Sequence, residues 1–219
     1  MLRQLDCHVI CCDYRGYADS TPVIPDETGV VEDAKKVYEW IVNLCGGDTT
    51  RIIVWGHSLG TGISGHLVSL LCQEGNSPAG LVLESPFNNI YDEVRNHPMT
   101  WVWSKMPWFD WFFTECLADN DVGFVTDQRL AVIDCPVLIL HAEDDAVVPY
   151  KLGLALYESA QQVTILQHST NNISENTIKT YLQSRPADWR QLQFQGYSAD
   201  LGYAHKYICR DPHLPALVR

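Results

Sequence analysis

Three side chains that together could perform nucleophilic catalysis, a serine, a carboxylate and a histidine, occur in that order along the chain. Ser58 lies in the motif GHSLG at residues 56–60. An apolar run at residues 51–55 precedes the motif and a helical pattern follows it, which is the strand–turn–helix setting of an activated serine. We expect the turn to expose the Ser58 hydroxyl and to require glycine at both Gly56 and Gly60, where a Cβ would collide with neighbouring backbone. The Leu59 backbone N–H would then face a developing oxyanion.

A serine hydroxyl is a weak nucleophile, so it needs a general base and an acid that orients the base. Three carboxylates at residues 143–145 follow the apolar run VLILH, where the acid is expected. Asp145 is the preferred acid, with Asp144 as the alternative. His205, near the C-terminus, is the expected base. The competing histidines are His8, which precedes the serine, and His57, His66, His97, His168 and His213.

The composition predicts one large globular domain. The chain has 219 residues, of which 46% are hydrophobic and 19% charged, with a net charge of −12. Such acidity argues against a nucleic-acid partner, which requires clustered Lys and Arg. The eight cysteines form no CxxC pair, so no zinc site is expected and the chemistry requires no metal or organic cofactor. The adjacent Cys11 and Cys12 are expected to be small buried hydrophobes.

Strand-like and helix-like patterns alternate, which predicts an α/β fold with a mostly parallel sheet flanked by helices. Strands are predicted at residues 7–12, 51–55, 81–84, 137–141 and 191–195, and helices at 31–45, after the GHSLG turn, at 152–159 and at the C-terminus. Residues 1–219 form a single domain in this interpretation. It carries an aromatic-rich cap at 86–134 and a polar insertion at 163–187.

Six segments in this order resemble a known family. They are DYRGYADS (13–20), GHSLGTG (56–62), LVLESPFNNI (81–90), PWFDWFF (107–113), PVLILHAEDDAVVPY (136–150) and DLGYAHKYI (200–208). Together they resemble the α/β-hydrolase-domain serine hydrolases that act as lysophosphatidylserine and monoacylglycerol lipases of the endoplasmic reticulum membrane. The resemblance implies the triad Ser58, Asp145 and His205, the same residues that their positions favour.

The resemblance also implies a lipid ester substrate and a membrane-associated enzyme. Aromatic side chains at residues 101–113 are placed to form an acyl pocket or a membrane-facing surface, or simply the core of the cap. The candidate substrate-binding residues are His57, Trp101, Trp108 and Phe112. The sequence itself shows no signal peptide and no apolar run long enough to span a membrane.

The beginning of the chain differs from the family pattern. The strand that ends at the DYRG turn is usually the fourth of this fold, so we expect the first three strands to be missing. The loop after the third strand normally supplies a second oxyanion donor, and no such motif precedes residue 7. Two alternative functions remain open, and the missing oxyanion motif motivates the first of them. One is a truncated, weakly active or inactive hydrolase-like protein that binds lipids or proteins, and the other is a thioesterase or another esterase.

Overall fold

The computed structural model describes residues 7–87, 126–169 and 191–218. Their strands form one parallel sheet in the order β1 (Ile53–His57), β2 (Gly80–Glu84), β3 (Val137–Ala142) and β4 (Leu192–Tyr197). The predicted α/β class with a parallel sheet is confirmed. Since all four strands run the same way, their carboxyl ends lie at one edge of the sheet.

Five α-helices occur in the described ranges. They are α1 (Glu27–Leu44), α2 (Leu59–Gln73), α3 (Thr126–Leu130), α4 (Tyr150–Ser169) and α5 (Leu214–Val218). Helix α4 extends well past its predicted end, so the first residues of the expected insertion at 163–187 are helical. The rest of that insertion, and most of the expected cap at 86–134, lie outside the described residues.

The two faces of the sheet are covered differently because successive side chains of a strand point to opposite sides. Leu81, Leu83 and Ile139 pack with α2 and α4 on one face. Val82 and Leu140 pack on the other face with the C-terminal segment that contains α5. The apolar strand residues therefore serve two separate cores, as expected for a parallel sheet covered on both sides.

The prediction of a buried strand at residues 7–12 is wrong. These residues form no strand, and all of them are exposed, including Cys11 and Cys12, which were expected to be buried. A strand needs a neighbour whose backbone groups complete its hydrogen bonds, and none of the described strands pairs with this segment. An apolar, β-branched composition was therefore not sufficient to form a strand here.

Helix α1 begins earlier than its apolar periodicity predicted. Asp26 has extended backbone angles, and its carboxylate accepts a hydrogen bond from the Gly29 N–H at 2.6 Å. This N-cap satisfies an amide that has no acceptor within the helix. The first turn is further held by Glu27, whose Oε1 contacts His66 Nδ1 of α2 at 2.7 Å and Arg129 Nη2 of α3 at 2.5 Å.

We expect Asp26→Ala to lower the free energy of unfolding by about 1 kcal/mol, because the Gly29 amide loses its acceptor. Asp26→Asn is the matched control and should remain close to wild type, since its amide oxygen can accept the same hydrogen bond. Urea unfolding followed by circular dichroism measures both variants. Equal losses in the two variants would show that the capping bond does not stabilise α1.

Candidate active site

The turn between β1 and α2 holds Ser58 in a strained backbone conformation. Its φ is 51° and its ψ is −120°, a region that residues other than glycine rarely adopt. The Ser58 N–H donates to the Glu84 carbonyl at 2.9 Å, and the Ser58 carbonyl accepts from Thr61 N–H and Thr61 Oγ1 at 2.9 and 2.6 Å. The hydroxyl makes no capping bond to α2. The backbone on both sides of Ser58 is therefore restrained, while its side chain is not used by the helix.

The two glycines of the motif have different roles. A Cβ on Gly56 would overlap Ser64 Oγ and the Gly60 carbonyl, so only glycine fits where β1 and α2 approach. A Cβ on Gly60 would meet no atom of the described chain within 4 Å. The expectation that a Cβ at Gly60 would collide with the neighbouring strand and helix is therefore wrong, because among the described residues nothing lies against that position of α2.

Asp145 lies in the turn after β3, with its carboxylate buried and fully satisfied. Oδ1 accepts from the Val147 and Val148 amides, both at 2.8 Å. Oδ2 lies 2.8 Å from His205 Nδ1 and 3.5 Å from His141 Nε2. Burial opposes ionisation, but the hydrogen bonds from the two histidines and the turn backbone outweigh it and hold the pKa of Asp145 well below its usual range. The turn thus keeps a charged acceptor beside His205.

His205 is itself buried. Its backbone is held by Asp144 and His57, the residues next to Asp145 and Ser58 in sequence. The N–H of the preceding residue, Ala204, donates to Asp144 Oδ1 at 2.9 Å. The carbonyl of His205 lies 2.7 Å from His57 Nε2, and the two imidazole rings are 4.8 Å apart between centroids. Asp144, the alternative acid, therefore contacts the backbone of this loop, whereas Asp145 contacts the imidazole.

The expected substrate-binding residues fall into two groups. His57 is exposed at the end of β1 and contacts His205. Trp101, Trp108 and Phe112 lie outside the described residues.

Leu59 is the first residue of α2, so its N–H belongs to the amides that have no acceptor within a helix. The structure therefore leaves this N–H suitable for an oxyanion.

Comparison with known proteins identifies the fold family of this chain. The sequence profile of the family described as the alpha/beta hydrolase fold matches residues 1–171. The chain belongs to this family. A solved structure of an esterase from Pyrococcus furiosus covers 94% of this chain with a TM-score of 0.56 and 15% identity, and the chain covers 65% of that structure. A protein from Agrobacterium tumefaciens superimposes over 94% of this chain with a TM-score of 0.53, at 14% identity and 64% coverage of that structure.

Three curated proteins are more similar in sequence to this α/β-hydrolase, and two of them are named for an activity. Lysophosphatidylserine lipase ABHD12 from Danio rerio is 41% identical over 218 residues, which is 100% of this chain and 51% of that protein. The protein of the same name from Mus musculus is 39% identical over 100% of this chain and 49% of its own length. Protein ABHD12B from Homo sapiens is 32% identical over 97% and 51%. The chain spans about half the length of the curated relatives it matches.

Sequence reasoning missed Glu84, the last residue of β2 and a neighbour of the site. It is 7% exposed, is aligned with His57 across the β1–β2 pair, and accepts from Trp55 Nε1 at 3.0 Å. Burial raises its pKa above the usual value, although the charges of His57 and His205 act in the opposite direction. The sequence did contain a signal for this residue, because Glu84 is an acidic residue at the end of the otherwise apolar strand GLVLE.

The described residues of this α/β-hydrolase were also compared with the requirements of a metal site and of a membrane-spanning helix. In the part of the chain that the structure describes, no group of three or more His, Cys, Asp or Glu side chains is placed to hold a metal ion. None of the helices described for the chain combines the length and the apolar character needed to cross a bilayer.

We expect Gly56→Ala to lower the free energy of unfolding by about 1–3 kcal/mol, as overpacking does, because the new methyl overlaps α2. Gly60→Ala is the matched control and should change stability by less than about 1 kcal/mol, towards higher stability, since alanine favours a helix. Urea unfolding compares the two variants. A Gly60→Ala loss as large as that of Gly56→Ala would contradict the geometry of the turn.

We expect Glu84→Gln to stabilise the protein increasingly as the pH rises above 4.5, the ordinary glutamate value. A raised pKa means that the native state holds the proton longer than the unfolded state, so ionisation costs stability as the pH rises through the native pKa. Thermal melting from pH 4 to 8 measures the effect, with the exposed Glu39→Gln as control. A Glu84→Gln difference that is constant across this range would refute the ionisation cost.

Proposed function

We propose that this protein is a serine ester hydrolase that works through an acyl-enzyme on Ser58. The observation that carries the proposal is the buried 2.8 Å contact between His205 Nδ1 and Asp145 Oδ2. The loop that carries His205 also reaches the strained serine turn, because the His205 carbonyl lies 2.7 Å from Nε2 of His57, the neighbour of Ser58. The contacting pair supports a triad in which Ser58 is the third member, with the chain order Ser, Asp, His that this fold uses.

In the proposed reaction, Ser58 Oγ attacks the acyl carbonyl while His205 Nε2 accepts its proton. His205 then donates the proton to the leaving alcohol, and it later activates the water that releases the acid from Ser58. Asp145 keeps Nδ1 protonated and stabilises the imidazolium. The Leu59 N–H is one donor to the oxyanion, and each such donor is typically worth about 10²–10³ in rate.

The proposed substrate is a lipid ester, either lysophosphatidylserine or a monoacylglycerol. The names of the relatives that are about 40% identical over the full chain support the first of these. The resemblance of the sequence motifs to lipases of the endoplasmic reticulum supports both. Association with that membrane belongs to the same proposal and rests on the same resemblance.

We expect a fluorophosphonate probe to label the folded protein once per chain, at Ser58, since only an activated serine reacts rapidly with it. Ser58→Ala should abolish labelling. Ser198→Ala, which changes an exposed serine after β4, is the matched control and should be labelled at the wild-type rate. Intact mass measurement gives the stoichiometry. A folded wild-type protein that is not labelled would refute the hydrolase proposal and favour a binding role.

A substrate panel with one shared acyl chain tests the lipid assignment. Lysophosphatidylserine, a monoacylglycerol, lysophosphatidylcholine and an acyl thioester are compared by the fatty acid released, with Ser58→Ala as the blank. We expect the first two to be hydrolysed faster than the others. Preference for the thioester would replace the lipid-ester assignment with a thioesterase while retaining Ser58 as the nucleophile.

A further inference from the structure

The peptide that carries His205 is held on both sides by side chains that touch its backbone. On the N-terminal side, the Ala204 N–H donates to Asp144 Oδ1 at 2.9 Å. On the C-terminal side, His57 Nε2 lies 2.7 Å from the His205 carbonyl. Because a carbonyl oxygen can only accept, His57 Nε2 is the donor. Neither contact uses the imidazole of His205, so both ring nitrogens remain available for the triad.

The backbone at this position needs such restraint. Ala204 has a φ of 45°, in the left-handed region that alanine rarely adopts. Residues in that region persist only where surrounding contacts enforce them. The bond from Asp144 acts on the amide of this strained residue, directly before His205. Loss of the bond would let the backbone relax and rotate the imidazole away from its partners.

The two contacts also join the histidine to the other two members of the proposed triad. Asp144 is the neighbour of Asp145 in the turn after β3, and His57 is the neighbour of Ser58 in the turn after β1. The backbone position of His205 is therefore set by contacts from the same two turns that carry the acid and the nucleophile. A shift of about 1 Å in such an arrangement can cost about 100-fold in rate.

We propose that Asp144 and His57 are positioning residues that hold His205 between Asp145 and Ser58. This inference rests on the proposed hydrolase activity. It assigns Asp144 a role other than that of the triad acid, and it assigns His57 a role other than contact with substrate. The hydrogen-bonding oxygen of Asp144, rather than its charge, does the positioning, because its partner is a neutral backbone amide.

A third contact on the same loop provides a matched control. Glu143 Oε2 accepts from the Ala199 N–H at 3.2 Å, at an exposed position next to β4. This bond is of the same chemical type as the Asp144 bond and comes from the adjacent residue of the acid turn. It acts at the start of the loop, however, and not on the peptide of His205.

The test compares five variants: Asp144→Ala, Asp144→Asn, His57→Ala, His57→Gln and Glu143→Ala. Hydrolysis of a short soluble ester gives kcat and KM, fluorophosphonate labelling gives the reactivity of Ser58, and proton NMR follows the low-field His205 Nδ1 proton. We expect Asp144→Ala and His57→Ala to lower kcat and the labelling rate about 10- to 100-fold, with KM within about twofold of wild type. The low-field proton should broaden or shift in both.

The conservative variants should retain most of the activity. Asparagine keeps an oxygen that can accept from the Ala204 N–H, and glutamine at residue 57 keeps an N–H that can donate to the His205 carbonyl. Glu143→Ala should match wild type in kcat and in the NMR signal. Thermal melting confirms that each compared variant is folded. If Asp144→Ala does not fold, the two His57 variants decide the question, because that exposed side chain can be removed without opening the core.

Several results would overturn the inference. One is wild-type kcat in both alanine variants. A second is a His57→Ala variant that raises KM and leaves kcat unchanged, which would make His57 a substrate contact. A third is an Asp144→Asn variant as impaired as Asp144→Ala, which would make the charge essential. In each case labelled wild-type protein leaves the hydrolase proposal standing, whereas unlabelled wild-type protein would remove both.

Discussion

A buried carboxylate has to be satisfied by donors, and the arrangement of the site follows from how this requirement is met at Asp145. Two amides of its own turn bond one oxygen, and His205 and His141 approach the other. The turn amides fix the carboxylate relative to β3. The bond to His205 then fixes the loop after β4 relative to the same strand. One ionised group thereby connects two elements far apart in sequence and orients the imidazole that the proposed chemistry uses.

The parallel sheet makes this arrangement possible because it brings the carboxyl ends of its strands to one edge. Ser58 follows β1, Ser85 follows β2 and the acid turn follows β3, while the histidine loop comes after β4. Backbone strain gathers there as well: Ser58, Ser85 and Ala204 have φ values of 51°, 52° and 45°. Such strain is tolerated where a packed core holds the flanking strands, and the strands that precede Ser58 and Ser85 pack on both faces of this sheet.

Much of the architecture followed from local patterns. Apolar runs between polar turns predicted β2 and β3 nearly to the residue, and helical spacing after GHSLG predicted α2. The N-terminal segment shows the limit of the same reasoning. Residues 7–12 have the composition of a buried strand but lie exposed without strand pairing, because a strand exists only with a neighbour. Helix α4 likewise continues into residues whose polar composition suggested a loop.

The sequence by itself determined the chemical types and their order: a serine in a glycine-flanked turn, a carboxylate after a later strand and a histidine near the C-terminus. Turn chemistry and periodicity are local properties, so they can be read from adjacent residues. Tertiary packing distinguished Asp145, which meets the imidazole, from Asp144, which meets the Ala204 amide. It also distinguished the glycine that must lack a Cβ from the one that need not, and it buried Glu84 next to His57. These outcomes depend on distances between residues remote in sequence, which no local pattern contains.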